Sequence, residues 1–161
     1  MEFARRSRKL YAQREAVVDG ELRLTYAQFF ERCDRASAAL SKLGIGKGDR
    51  VATIAPNTAA HLEQFYAVPQ LGAVVVPLNY RLIAEDLVYL INHSGARVVC
   101  AHSHYLDMVE GMRARCPEVE HFVALEGAKT GWLNSPTARF PILRTLSGYP
   151  GLHCRKHSPY I

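Results

Sequence analysis

No acidic residue lies beyond Glu126, the last of fifteen, so the formal charge of +5 has an uneven origin. Residues 1–126 carry fifteen bases, from Arg5 to Arg115, against those fifteen acids. The excess resides wholly in Lys129, Arg139, Arg144, Arg155 and Lys156. A nucleic-acid surface gathers its bases on one folded face and interleaves aromatics for stacking. Bases scattered through a Pro- and Ser-containing end do not form one, and no nucleic-acid partner is expected. Paired cysteines are lacking too. Cys33, Cys100, Cys116 and Cys154 are spaced far too widely for a Cys-x-x-Cys site, which excludes zinc-knuckle and dithiol redox chemistry and leaves reduced, mostly buried thiols. Long apolar runs are also missing: the longest, Leu71 to Leu78, is interrupted by Gly72 and Pro77, and no apolar stretch follows the basic N-terminus. A secretory signal and a membrane span are therefore excluded, and a cytoplasmic location is expected.

The 161 residues, 48% apolar and 22% charged, suit one soluble domain or a piece of a larger one. From Glu15 to Leu43 the pattern is legible. Ala16-Val17-Val18, a turn at Asp19-Gly20 and the alternating Leu22-Arg23-Leu24 predict a hairpin. Thr25 and Gln28 stand at the spacing of a capping box, which predicts a helix starting there. Phe29, Cys33, Ala36, Leu40 and Leu43 then recur at helical steps as one buried stripe, Arg32 and Arg35 fall off it, and Gly44 supplies the stop.

Further along, short apolar runs alternate with helical patterns. Val51–Ala55 reads as a strand buried on both faces, followed by a helix from Thr58 to about Leu71 with Pro69 kinking it. Ala73–Val76 reads as a second buried strand, Glu85–His93 as a helix with Leu87, Leu90 and Ile91 inward, and Arg97–Cys100 as a third strand. Leu106, Val109 and Met112 mark another helix, and His121–Leu125 a fourth strand. The order predicts an α/β fold with right-handed crossovers and a mostly parallel sheet. After Glu126 no period is sustained. Residues 135–161 are expected to be an unrelated, poorly ordered tail, read in a shifted frame or from a joined exon at about Asn134-Ser135.

Six ordered segments carry a family likeness: Arg14-Glu15-Ala16-Val17, Leu24-Thr25-Tyr26-Ala27-Gln28-Phe29, Gly44 to Ala52, Pro56-Asn57, Leu71 to Asn79 and His93-Ser94-Gly95-Ala96-Arg97. In this order and spacing they resemble the start of the AMP-forming acyl-CoA synthetases of the adenylate-forming superfamily. Pro77-Leu78-Asn79-Tyr80-Arg81-Leu82 is nearest to the fatty-acid-activating members. The resemblance covers about Leu10 to Glu126, extending to Trp132-Leu133-Asn134, and implies the N-terminal part of an AMP-dependent synthetase domain over residues 1–134. It also implies, for the full-length family, a ligase that uses ATP and magnesium to join a carboxylate to AMP and passes the acyl group to coenzyme A. The family's Ser/Thr/Gly-rich phosphate loop, magnesium acid, ribose-binding Asp and catalytic Lys all belong to later sequence.

Four constellations could mimic chemistry. Gly44-Ile45-Gly46-Lys47-Gly48 lies between a helix and a strand, the reverse of the order that aims helix N–H groups at a phosphate, and reads as a cap and turn. Leu146 to Gly151, with Lys156 beyond, has Tyr149 and Pro150 where hydroxyls would be needed, and Pro150 has no N–H to donate. Cys100, His102 and His104, with Cys116 or His121, would share a face only on an extended strand. Glu85 and Asp86, as neighbours on a helix, point about 100° apart and suit a first turn rather than paired catalysis. No residue is assigned a catalytic, cofactor-binding or metal-ligating role. The expected protein is a truncated ligase N-terminal region, inactive alone. Two alternatives stay open: a small nucleotide- or acyl-binding module, and an interaction module that associates with itself or a full-length homologue through exposed apolar surface.

Overall fold

Asp19 and Gly20 close a hairpin whose strands, β1 (Glu15–Asp19) and β2 (Leu22–Thr25), pair antiparallel with a register shift near Ala16. The computed structural model describes residues 2–137. The remainder of the expected tail, including Leu146–Gly151, Cys154 and Lys156, lies outside the described residues. A helix not marked in the sequence, α1 (Glu2–Leu10), precedes the hairpin and buries only Ala4 and Ser7. It is mostly charged and polar, with Phe3, Ala4 and Leu10 as its apolar residues, so no apolar stripe marks it in the sequence.

At the hairpin's end Thr25 caps α2 (Tyr26–Lys42) as a complete capping box. Its hydroxyl accepts from the Gln28 N–H at 3.3 Å, and the Gln28 side-chain oxygen accepts from the Thr25 N–H at 2.9 Å. The stripe Phe29, Cys33, Ala36 and Leu40 is buried, with Phe30 and Ser37 added.

Five parallel strands follow: β3 (Arg50–Ile54), β4 (Val74–Leu78), β5 (Val98–Ala101), β6 (His121–Ala124) and the two-residue β7 (Leu133–Asn134). Across the sheet they run β4-β3-β5-β6-β7. The crossovers are α3 (Ala59–Gln70), α4 (Ala84–Ser94) and α5 (Leu106–Met112). Because the chain leaves β3 toward β4 and then returns past β3 to β5 and on to β6, right-handed crossovers place α3 on one face and both α4 and α5 on the other. The side chains confirm it. Val51, Val98, Cys100 and Val123 pack with Leu40, Ala60 and Val68 on one face. Ala52, Ile54, Val99, Ala101 and Ala124 pack with Leu87, Ile91, Val109 and Met112 on the other. A third cluster joins α1, the hairpin and α2 through Ala4, Val17, Leu24, Phe29, Phe30 and Cys33.

One expectation is corrected. The strand containing Ala73–Val76 is not buried on both faces: β4 is a sheet edge, Val74 is 50% exposed, and only Leu78 within the strand is buried. Chain order alone does not reveal which strand ends at an edge. Pro69 falls inside α3, one residue before its end, where it removes the donor that would otherwise reach the Phe65 carbonyl. The packed chain also continues past Asn134. The Ser135 N–H donates to the Ala124 carbonyl at 2.8 Å, and Ser135 and Thr137 are buried.

Gly95 terminates α4 with φ +61, and a Cβ there would stand 2.4 Å from Arg50 Nη2. That guanidinium is fixed because it donates to the carbonyls of Ser94 and Gly95 at 2.8 and 2.6 Å. Gly95→Ala is expected to cost about 1–3 kcal/mol through backbone strain and displacement of Arg50. Equilibrium denaturation in urea checks this, with Gly20→Ala, where a Cβ meets no atom within 4 Å, as the comparison for strain alone.

Candidate functional site

The direction of chain travel reverses between β3 and β5, and open parallel sheets bind ligands outside the carboxyl ends of their strands at such a point. The residues assembled there are mostly polar. Beyond β3, Pro56 leads to α3, where His61 Nδ1 lies 3.2 Å from the Pro56 carbonyl and Nε2 lies 3.2 Å from the Thr53 hydroxyl. The Nδ1 proton therefore donates to the carbonyl and Nε2 accepts from Thr53. Burial holds the His61 pKa below its ordinary value, outweighing the carbonyl contact.

Two residues along α3, Glu63 has no exposed side-chain surface. Arg32 Nε of α2 donates to Glu63 Oε1 at 2.5 Å, and the Thr137 hydroxyl donates to Oε2 at 2.6 Å. The same guanidinium donates through Nη2 to the Thr137 carbonyl at 2.7 Å, and Ser135 Oγ stands 3.0 Å from Thr137 Oγ1. Arg32, expected on the solvent face, is thus only 21% exposed. Burial raises the Glu63 pKa above the usual carboxylate value against the pull of Thr137 and Arg32, with the Glu126 charge adding to the rise. The signal for Glu63 was present in the sequence. Ala59, Glu63 and Ala67 are spaced by four along the buried face, so an acid occupies the middle of an apolar stripe.

Beyond β5 the strand ends at Ala101, and His102 caps a 3₁₀ turn over Ser103–Tyr105. The Cys100-His102-His104 alternation is broken there: Cys100 stays in the core, while His104 is exposed in the 3₁₀ turn with its ring 4.9 Å from that of His102. Burial pushes the Cys100 and Cys33 thiols up to about 12, far from a reactive thiolate. Among the described residues no three His, Cys, Asp or Glu side chains gather to hold a metal ion.

His102 Nδ1 accepts from the His104 N–H at 3.3 Å, which leaves the proton on Nε2 to face Glu126 Oε2 at 3.3 Å. Ser103 Oγ lies 3.4 Å from the same Nδ1. Ser103, His102 and Glu126 are thus in the order of a hydrolytic triad, but the capping N–H already occupies the lone pair that would take the serine proton. The arrangement joins the carboxyl ends of β5 and β6 instead.

The donors a phosphate would need are also engaged. The Ala59 N–H donates to Asp19 Oδ2 at 2.9 Å and the His61 N–H to Thr58 Oγ1 at 3.3 Å, so these two donors at the start of α3 are satisfied internally. In the Gly44–Gly48 loop the Gly46 N–H donates to Asp49 Oδ2 and the Gly48 N–H to the Gly72 carbonyl. Asp49 is held below the ordinary carboxylate range first by that Gly46 contact and then by Arg97. Glu85 sits in the first turn of α4, lowered first by its own backbone N–H and then by Arg115, while Asp86 is exposed. The Ala59, His61, Gly46 and Gly48 N–H groups are therefore engaged within the chain and do not offer a phosphate a free donor.

Arg32→Ala would leave Glu63 buried with one hydroxyl partner, and is expected to destabilise by about 3 kcal/mol. Glu63→Gln keeps the packing and removes the charge. Because the folded-state pKa of Glu63 is raised, its stabilising contribution is complete below the unfolded-state value and is lost as pH rises through the folded one. The stability of the native chain relative to Glu63→Gln should therefore fall as pH rises from acid toward neutral. Parallel urea titrations across that range test the sign, and a constant difference would refute it.

Comparison with known proteins places this arrangement. Residues 3–141 match the model of the AMP-binding enzyme family. A long-chain-fatty-acid–CoA ligase of Thermus thermophilus is 38% identical over 137 residues, covering 82% of this chain and 25% of that protein. The peroxisomal benzoate–CoA ligase of Arabidopsis thaliana is 37% identical over 99 residues, covering 62% of this chain and 17% of its own length. Among solved structures, an anthranilate CoA ligase in complex with anthranoyl-AMP superposes with a TM-score of 0.76 at 25% identity, over 82% of this chain and 25% of its own. The fatty acyl CoA synthetase of Mycobacterium tuberculosis gives 0.73 at 31% identity, over 76% of this chain and 26% of its own. The chain thus spans about a quarter or less of the length of these relatives. With most of its residues matched in both sequence and fold, the chain belongs to the AMP-binding enzyme family.

Proposed function

We propose that this chain forms the N-terminal part of the large domain of an AMP-forming acyl-CoA ligase of the fatty-acid type, and that it has no ligase activity by itself. One observation carries the reading. The chain superposes on ligases over about four fifths of its length, yet the Ala59 and His61 N–H groups of α3 and the Gly46 and Gly48 N–H groups of the glycine loop are consumed by Asp19, Thr58, Asp49 and Gly72. Adenylation depends on positioned electrostatic contacts to phosphate and metal. This part supplies scaffold, and ATP, magnesium and coenzyme A are held by sequence that the relatives carry beyond it.

In the complete ligase the exposed Leu62 and Phe65 of α3 and the bare β4 edge would be covered by later segments. Apolar surface of this kind promotes association when left open, so self-association is part of the reading. The location stays a proposal as well: among the described residues no helix is long and apolar enough to cross a membrane.

The purified chain, given ATP, magnesium and a fatty carboxylate, is expected to release no pyrophosphate above background, and carboxylate-dependent release would refute inactivity. Scaffold competence needs a separate test. Residues 3–137 replace the matching part of the Thermus thermophilus ligase, and acyl-CoA formation is measured. An active chimera supports the assignment, and a folded chimera without adenylate formation overturns it. Sedimentation velocity of the isolated chain should show concentration-dependent association, which Leu62→Ser with Phe65→Ser should reduce.

A further inference from the structure

We infer that the outer face of α3, together with the open strands of the hairpin, is a docking surface for the remaining part of an AMP-forming ligase supplied as a separate chain. The inference rests on the reading of this chain as ligase scaffold and names its partner. The composition of α3 sets it apart. Glu63 is its one acid, and it holds no Lys or Arg. Since Glu63 is buried, the outer surface of α3 has no carboxylate, ammonium or guanidinium of its own. By contrast α2 exposes Glu31, Asp34, Arg35 and Lys42, and α4 exposes Glu85 and Asp86. A helix at a finished surface opposes its apolar stripe with a charged one, whereas a helix apolar on every side belongs to an interior.

Ala60 and Val68 of α3 pack on the parallel sheet. At about 100° per residue, Leu62, Phe65 and Pro69 fall on the side away from the buried Ala60, Gln64 and Ala67. Leu62 is 40% exposed and Phe65 41%, with Tyr66 and Pro69 half-buried beside them. The hairpin is unfinished in the same sense. Among the described residues β1 and β2 make a sheet of their own, in which each strand has a neighbour on one side. Two strands alone are marginal in water, and here α2 backs them through Phe29 and Phe30 against Val17 and Leu24. At their turn Asp19 Oδ2 accepts from the Ala59 N–H, which ties the hairpin to the start of α3, and Val18 next to it is exposed.

The relatives identify the occupant. The matched part is about a quarter or less of their length, so about three quarters of each ligase lies outside it and is available to cover this unit. A second copy of this chain also covers the stripe, as in the association proposed above, but it brings the same open edges rather than strands that complete them. The partner's chemistry is accordingly an apolar face flanked by extended backbone with free N–H and C=O groups. Such a contact needs no covalent link to the chain, and without charges on the α3 stripe it is insensitive to salt.

The test co-expresses the whole 161-residue chain with the Thermus thermophilus ligase shortened by the part that matches residues 3–137. The two are expected to co-purify as a complex that persists in high salt and forms acyl-CoA. Leu62→Ser with Phe65→Ser should weaken the complex about a hundredfold, at about tenfold for each apolar side chain withdrawn from contact. Tyr89→Ser, on the exposed side of α4 across the sheet, should leave it unchanged, and equal weakening by the two variants overturns the assignment to α3. Circular dichroism of each isolated variant confirms that it stays folded. Because the shortened ligase has to fold around its partner, the chimera described above is also made with a protease site after residue 137. Once cut, its two pieces should remain together on gel filtration, and Leu62→Ser with Phe65→Ser should release them. A complex in neither arm overturns the inference. A chimera that is active when joined and separates when cut, with no complex on co-expression, removes this inference and leaves the scaffold assignment standing. A folded chimera that is inactive before the cut removes that assignment, and association of the pieces then decides this inference alone.

Discussion

A carboxylate with no exposed surface must find its partners inside the fold, and Glu63 takes them from segments far apart in sequence. Arg32 is 31 residues upstream and Thr137 is 74 residues downstream. One charge thereby fixes α2 against α3 and ties the end of the described chain to both. Removing water from two ionised groups costs several kcal/mol each, so the arrangement holds only with its geometry complete. Arg32 completes it by bonding the carboxylate and the Thr137 carbonyl together. This makes the residues after β7 part of the body, and it explains why Ser135 and Thr137 are buried although their local sequence has no period.

The sequence exposed those parts of the fold that rest on local rules. The hairpin follows from Asp19-Gly20, the start of α2 from Thr25 and Gln28, and β3, β5 and β6 from short β-branched runs between turns. Each of these signals acts over a few residues. The exposure of β4 does not, because Val74, Val75 and Val76 have the composition of a central strand and become an edge only through the order in which strands assemble. The two-residue β7 is likewise specified by its neighbour: it exists by pairing with Val123 and Ala124. The polar helix α1 escaped for the opposite reason, since its hold on the protein is two small buried residues and one ion pair.

At the carboxyl ends of the strands, sequence reading weighed the right residue types but could not arrange them. Cys100, His102 and His104 share one face only if the chain stays extended, and His102 ends that extension by capping the following turn. Glu126 stood at the margin of the ordered pattern and gained its meaning from His102 across two strands. Glu63 was the most legible of the missed residues. An acid centred among alanines on a buried stripe asks for a partner, though nothing local names Arg32 or Thr137 as that partner.

Pro77 remains in the β3–β4 ladder, opposite Thr53, although it has no N–H. In a parallel ladder successive residues direct their donors to alternate sides, so a proline is tolerated only where its nitrogen faces away from the neighbouring strand. The missing donor therefore lies on the outer rim of β4. A newcomer aligning along that rim would meet a gap at the fourth of the strand's five residues and lose a bond there. The sheet is consequently asymmetric in its capacity to grow: one flank is chemically blunted against indiscriminate strand addition, and extension by backbone pairing is directed to the side where β7 ends.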